Sequence, residues 1–225
     1  MRAPGLHLLW PNVYLHVLES GTPGPTMLIE AGIHGDEIAG VHAIEELLED
    51  GLQPRIGRLL VIPTMNPAAY RANLRAAPGG LDLNRCFPGD AEAPERERRL
   101  AKVYMDLVLE ERPTVMATLH ESMKRHHPDF PVSFGQTVTY GVEPKPPLVD
   151  AICAHMNTQL EAPYERWCPH YFPVATSSTE VIVEALAQRG TTCVGLCIET
   201  WMGFPLARRV AMQKAIVRYL VDTFA

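Results

Sequence analysis

Apolar positions along this chain recur in two rhythms, and the switches between them mark out its elements. Leu6 to Trp10 and Tyr14 to Leu18 read as a short opening hairpin around Pro11-Asn12. Met27 to Ile33 is a buried-strand run, followed at Ile38 to Leu48 by apolar residues at helical spacing, with Gly51 near the end. Leu59 to Pro63 predicts another strand. Asn66 to Asp90 is rich in Pro, Gly and Asn and shows little regular pattern. Pro94 opens a charged helix through Glu111, proline being well tolerated in a first turn. The charges from Glu95 to Arg99 mix signs and read as a solvated face. Val115 to His120 predicts a strand, and Met123 to Pro147 reads as irregular. Pro147 to Leu160 predicts a helix. Ser177-Ser178-Thr179-Glu180 fits a capping box for a helix ending near Gly190. Thr192 to Glu199 predicts a strand and Ala207 to Phe224 a closing helix.

Strands alternating with helices point to an α/β fold: a mixed, mostly parallel central sheet with helices on both faces. No internal repeat or linker divides the chain, so residues 1–225 read as a single catalytic domain. The long loops fall after strands, where ligands bind in open α/β sheets.

Bulk properties narrow the field. A formal net charge of −6 does not favour nucleic acid or anionic membranes. No segment has the uninterrupted apolar length of a membrane span. Met1 to Trp10 lacks a signal-peptide pattern. The five cysteines are scattered and include no CxxC, which reads as reduced intracellular thiols with packing roles and a cytoplasmic setting.

Candidate chemistry begins at His34-Gly35-Asp36-Glu37, between the third strand run and the first long helix. An imidazole and a carboxylate at that spacing can reach one cation from a single turn. A catalytic zinc takes three nitrogen or oxygen ligands from the protein and keeps one position open. The competing reading is a solvated turn in which Asp36 caps the helix. His120 and Glu199 each end an apolar strand run, and in a parallel sheet such ends face one crevice. A carboxylate at the end of so apolar a strand must be paired, hydrated or functional. Asn84-Arg85, in Leu81-Asp82-Leu83-Asn84-Arg85, can grip a carboxylate, and Arg75 could stabilise an oxyanion.

Taken together, these segments resemble the zinc carboxypeptidase superfamily, which includes the M14 metallocarboxypeptidases and the succinylglutamate desuccinylase/aspartoacylase group. The resemblance runs from about Thr26 to Glu199. It is carried by His34-Gly35-Asp36-Glu37, Asn66-Pro67, Arg75, Asp82-Leu83-Asn84-Arg85, His120 and Glu199 in that order. It implies that His34, Glu37 and His120 bind one Zn2+ and that Glu199 is the general base and acid. It further implies that Arg75 polarises the scissile carbonyl and that Asn84 and Arg85 hold a substrate carboxylate. Tyr171 sits roughly where the carboxypeptidases carry a mobile tyrosine, with Tyr164 and Tyr140 as rivals.

The expected activity is zinc-dependent hydrolysis of an amide or peptide bond in a small carboxylate-bearing substrate, carboxypeptidase-like. One alternative is an N-acyl-amino-acid deacylase. Another is a non-catalytic zinc- or ligand-binding protein on the same scaffold. Only about a helix follows Glu199, so the β-rich domain usual in the desuccinylase branch is expected to be absent. Manganese or iron could also occupy nitrogen and oxygen ligands. Other patterns do not hold up. Glu121 lacks His-Glu-x-x-His spacing, and Gly32, Gly35 and Gly40 lack the GxGxxG spacing. No GxSxG elbow or P-loop is present. His126 and His127 read as loop residues, and Trp201 and Phe204 as packing.

Overall fold

The computed structural model describes residues 1–130 and 132–224. In chain order the elements are β1 (Gly5–Trp10), β2 (Val13–Glu19), β3 (Thr26–Ala31), α1 (Ala39–Glu49), β4 (Arg58–Ile62), α2 (Pro67–Ala72) and α3 (Arg96–Glu111). There follow β5 (Val115–Ser122), β6 (Thr137–Tyr140), α4 (Pro147–Asn157), β7 (Cys168–Tyr171), α5 (Ser178–Gln188), β8 (Val194–Trp201) and α6 (Leu206–Phe224). The strands form one sheet in the order β1-β2-β4-β3-β5-β8-β6-β7. Its centre, β4-β3-β5-β8, is parallel throughout. The pairings β1-β2, β2-β4 and β6-β8 are antiparallel. The α/β class expected from the sequence is therefore borne out.

Strand alternation sorts the core into two layers. Met27, Ile29, Leu59, Val61, Ala117 and Leu119 point to one face, where Ile44 of α1, Ile152 of α4 and Ile216 of α6 cover them. Leu28, Leu60, Ile62 and Met116 point to the other, under Leu100 and Tyr104 of α3 and Ile182 of α5. By the same alternation, His120 on β5 and Glu199 on β8 share the second face with Met116. Their strands pair so that His120 lies directly beside Glu199.

The differences from the sequence reading have local causes. The strands carrying His120 and Glu199 run two residues further, to Ser122 and Trp201, because β5 and β8 stay in register to that point. β6 and β7 lie in stretches without a strand signal. Each is four residues long, and proline or glycine stands in or next to both. Their pairing with each other and with β8 supplies what local pattern does not. α2 lies inside the stretch whose sequence shows little regular pattern. Asn66 caps it by accepting from the Ala69 N–H, and Pro67 stands at its first turn. Asp36 does not cap α1. The Glu121 carboxylate does so instead, accepting from the Ala39 N–H at 2.9 Å. Among the described residues, no helix is long and apolar enough to cross a membrane.

Candidate metal centre and catalytic pocket

The carboxyl ends of β3, β5 and β8 open on one side of the sheet, and the turn after β3 carries His34 and Glu37 into that space. The turn is pressed against the neighbouring chain. A Cβ on Gly35 would lie 2.0 Å from the backbone carbon of Ala69, so this position has no room for any side chain. Gly35 N–H also donates to Leu74 O at 3.0 Å. Steric fit thus fixes the residue between the imidazole and the carboxylate.

His34, Glu37 and His120 converge. Glu37 Oε1 lies 2.7 Å from His34 Nδ1, and Glu37 Oε2 lies 2.7 Å from His120 Nδ1. All three side chains are buried. Glu121 N–H also donates to Glu37 Oε2 at 2.9 Å. The far side of the His34 ring, Nε2, faces Asp82 Oδ1 at 3.2 Å. The other oxygen of Asp82 accepts from Arg75 Nε at 3.0 Å and Nη2 at 2.9 Å. Arg75 Nη1 reaches to 3.6 Å from Glu37 Oε1.

The charges reflect this packing. Burial works against charge on His34, but the Glu37 and Asp82 carboxylates outweigh it and raise its pKa to about 9. His120 is likewise raised, its burial outweighed by Glu37. Glu37 is buried too, yet the two imidazoles hold its carboxyl well below the usual range. Two imidazole nitrogens and a carboxylate, with donor atoms all within 4.8 Å of one another, form a donor set that fits a divalent cation. Asp82 adds a second feature of such sites. A proton held on Nε2 by a carboxylate leaves the Nδ1 lone pair free for an ion.

Glu199 stands beside His120 in the paired strand. Its Oε2 is buried with no hydrogen-bond partner among the described residues, while Cys197 Sγ lies 3.6 Å from Oε1. Burial, together with repulsion from Glu37, overcomes the attraction of His120 and pushes the Glu199 carboxyl up to about 7. A cavity of about 450 Å³ joins these groups, and Arg75, Asn84 and Arg85 line it as well. Asp82 starts the short 3-10 turn Leu83–Arg85, its Oδ1 accepting from the Asn84 N–H at 3.0 Å. The Asn84 side-chain oxygen accepts from Ser178 N–H at 2.8 Å, tying this loop to the start of α5. Arg85 Nη1 donates to the Asn84 carbonyl at 3.0 Å.

Seven of the eight sequence-predicted site residues therefore meet in one pocket, and Tyr171 does not. Its ring packs at a 47° tilt 5.6 Å from that of Tyr140, while its neighbour Phe172 lines the cavity. The cause is the two-residue period of an extended chain. His170 and Phe172 stack on each other, and Tyr171 points the opposite way. The rivals fare no better: neither Tyr164 nor Tyr140 lines the cavity.

The sequence reading assigned no role to Asp82, although it lies within the Asp-Leu-Asn-Arg stretch. Nor did it foresee that Glu121 anchors the floor. Besides capping α1, Glu121 accepts from Arg209 at 2.6 Å and Thr200 at 3.2 Å, so one buried carboxylate ties α1, β5, β8 and α6 together. Cys197 lines the pocket instead of serving packing alone.

Residues 23–133 match the family described as Succinylglutamate desuccinylase/Aspartoacylase catalytic domain. That segment, just under half of the chain, is similar to the succinylglutamate desuccinylase/aspartoacylase catalytic domain. The resemblance to the zinc carboxypeptidase-like group is thereby borne out. The five sequence-predicted groups from His34 through His120 fall within it, and Glu199 lies beyond it.

Two curated relatives each match about a third of this chain. N-alpha-acetyl-L-2,4-diaminobutyric acid deacetylase of Halomonas elongata is 39% identical over 77 residues, which is 33% of this chain and 22% of that protein. Murein peptide amidase A of Escherichia coli K12 is 38% identical over 84 residues, 37% of this chain and 32% of that protein. Each match thus spans a third or less of the relative. Among solved structures, tripeptide-bound cell shape determinant Csd4 from Helicobacter pylori superposes with a TM-score of 0.78 at 18% identity. That superposition covers 95% of this chain and 55% of Csd4, and it establishes the shared fold.

Proposed function

We propose that this chain is a zinc-dependent hydrolase that cleaves an amide or peptide bond in a small carboxylate-bearing substrate, in the manner of a carboxypeptidase. One observation carries the reading: the buried trio His34, Glu37 and His120 shares a cavity with Glu199, a carboxylate whose Oε2 has no hydrogen-bond partner among the described residues. The partial relatives, a deacetylase and a peptide amidase, support amide chemistry.

In this proposal His34, Glu37 and His120 hold the ion, with manganese or iron as other candidates for the same donors. Bound zinc supplies a Lewis acid and lowers the pKa of water. Glu199 accepts the proton of the attacking water and returns it to the leaving nitrogen. Burial raises the Glu199 carboxyl, the direction that suits a group which must both take up and give back a proton. Arg75 donates to the carbonyl oxygen as negative charge builds on it. Asn84 and Arg85 grip the substrate carboxylate, with the planar guanidinium setting its orientation. No tyrosine is given a part.

A second reading, an N-acyl-amino-acid deacylase, is supported by the family segment and by the Halomonas relative. The five free cysteines support a reducing, cytoplasmic setting. The single continuous sheet supports one catalytic domain.

The test is a panel of peptides and N-acyl amino acids assayed with the wild type and with Glu199→Gln. The proposal expects hydrolysis by the wild type, and loss of ~100-fold or more in kcat in the variant with metal content unchanged. Turnover unaffected by the substitution would remove Glu199 from its role. Bound zinc with no hydrolysis of any panel member would favour a binding protein.

A further inference from the structure

Cys197 and Glu199 lie two residues apart on β8, so their side chains emerge on the same face. The register of β8 against β5 sets Thr118 beside Cys197 and His120 beside Glu199. As a result a thiol and a carboxylate meet the His120 imidazole, so that His120 is common to this group and to the His34/Glu37/His120 trio. Their donor atoms also lie within 4.8 Å of one another. Two further observations point to a ligand at this place. Glu199 Oε2 is buried and makes no hydrogen bond among the described residues, and Cys197 lines the same cavity. Cys197 Sγ already approaches Glu199 Oε1 at 3.6 Å.

We propose that His120, Cys197 and Glu199 form a second cation position, selective for soft, thiophilic divalent ions such as Cd2+, whose occupation silences the hydrolase. Thiolate ligands favour soft ions, whereas the trio offers only imidazole and carboxylate. Binding breaks the Cys197 S–H bond, forms a sulfur–metal bond and delivers one proton to solvent. No oxidation state changes. A neutral imidazole carries a single lone pair, the other nitrogen holding the proton. His120 therefore serves one ion at a time, and the two positions exclude each other. An ion at the second position also takes the carboxylate assigned above as the base. The silencing clause rests on that functional reading; the site itself does not.

The experiment titrates the purified protein with Cd2+ and follows the ultraviolet thiolate-to-cadmium charge-transfer band, with a chromogenic chelator reporting released zinc. The wild type is expected to develop the band to one equivalent and to release its resident ion in step. Cys197→Ser and Cys197→Ala should both lose the band, and Cys168→Ser should keep it. His34→Ala, which disables only the trio, should keep it too. No band in the wild type, or a band that survives in a folded Cys197 variant, overturns the proposal. So does a band lost in folded His34→Ala, since cadmium would then depend on the trio. Because the band is read without turnover, a protein that hydrolyses nothing but shows it would refute the function and leave the second position standing.

Discussion

His34 Nε2 faces Asp82 Oδ1 at 3.2 Å, and this contact joins the two most informative stretches of the sequence. It reaches across 48 residues to lock the ring whose Nδ1 faces Glu37. The same carboxylate holds Arg75 through two nitrogens, so the proposed ligand and the proposed oxyanion donor share one anchor. Asp82→Asn keeps the shape but loses the charge that fixes both. Metal affinity should fall by about 10–100-fold, a loss typical of outer-shell partners. A competitive chelator titration measures this, and unchanged affinity would count against the anchoring role.

Arg75→Ala should act on turnover more than on binding. Its guanidinium is assigned to charge that develops during reaction, whereas Arg85 is assigned to a carboxylate present from the start. Arg75→Ala is expected to lower kcat by roughly 100–1,000-fold with little change in KM. Arg85→Ala should mainly raise KM for substrates with a free carboxylate and leave amidated analogues unaffected. Steady-state kinetics on matched acid and amide substrates separates the two. An equal loss on both substrates with Arg85→Ala would refute the assigned grip.

Gly35→Ala tests the steric origin of the turn. The added methyl would meet the Ala69 backbone at 2.0 Å, where no side chain can swing aside. Overpacking of this kind costs about 1–3 kcal/mol. For a chain of this size that corresponds to a Tm lower by about 2–12 °C. Metal affinity should weaken alongside, because His34 and Glu37 flank the displaced residue. A variant as stable as the wild type would mean that the turn and α2 can separate freely.

A pH effect is expected away from the pocket. Glu165 takes two hydrogen bonds from Arg208, at 3.0 and 2.6 Å, and this pairing holds its carboxyl below the usual range despite burial. A carboxyl depressed in the folded state contributes stability above its unfolded pKa, about 4.3 for glutamate, and loses it as pH falls through the folded value. Glu165→Gln should therefore have a lower denaturation midpoint at pH 7. The gap to wild type should narrow as pH drops below about 4. A gap constant across that range would exclude the ion pair as its source.

Much of this arrangement was legible in the sequence because its signals are local. The His34-to-Glu37 turn, the strand runs ending near His120 and Glu199, and the Asn84-Arg85 pair each appear within a few residues. The parallel sheet then brings them together by geometry. What escaped detection depends on distant partners. β6 and β7 are too short to show a pattern, and pairing beside β8 makes them strands. Glu121 looked like a neighbour of His120 without a task, since Ala39, Thr200 and Arg209 come from three other parts of the chain. The proposed tyrosine failed because alternation along β7 sends Tyr171 toward Tyr140 and turns Phe172 to the cavity. The capping box at Ser177 is half realised. Ser177 Oγ accepts from Glu180 N–H at 3.4 Å, but the Ser177 N–H goes to Val174 O, so the Glu180 carboxylate is not needed there.

The most direct test of the account is an anomalous difference map recorded at the zinc edge from crystals of the purified protein. One peak is expected about 2.0–2.2 Å from His34 Nδ1, His120 Nδ1 and a Glu37 carboxylate oxygen. A map with no peak among these three side chains, or with its peak on ligands elsewhere in the fold, would contradict the shared-ion centre.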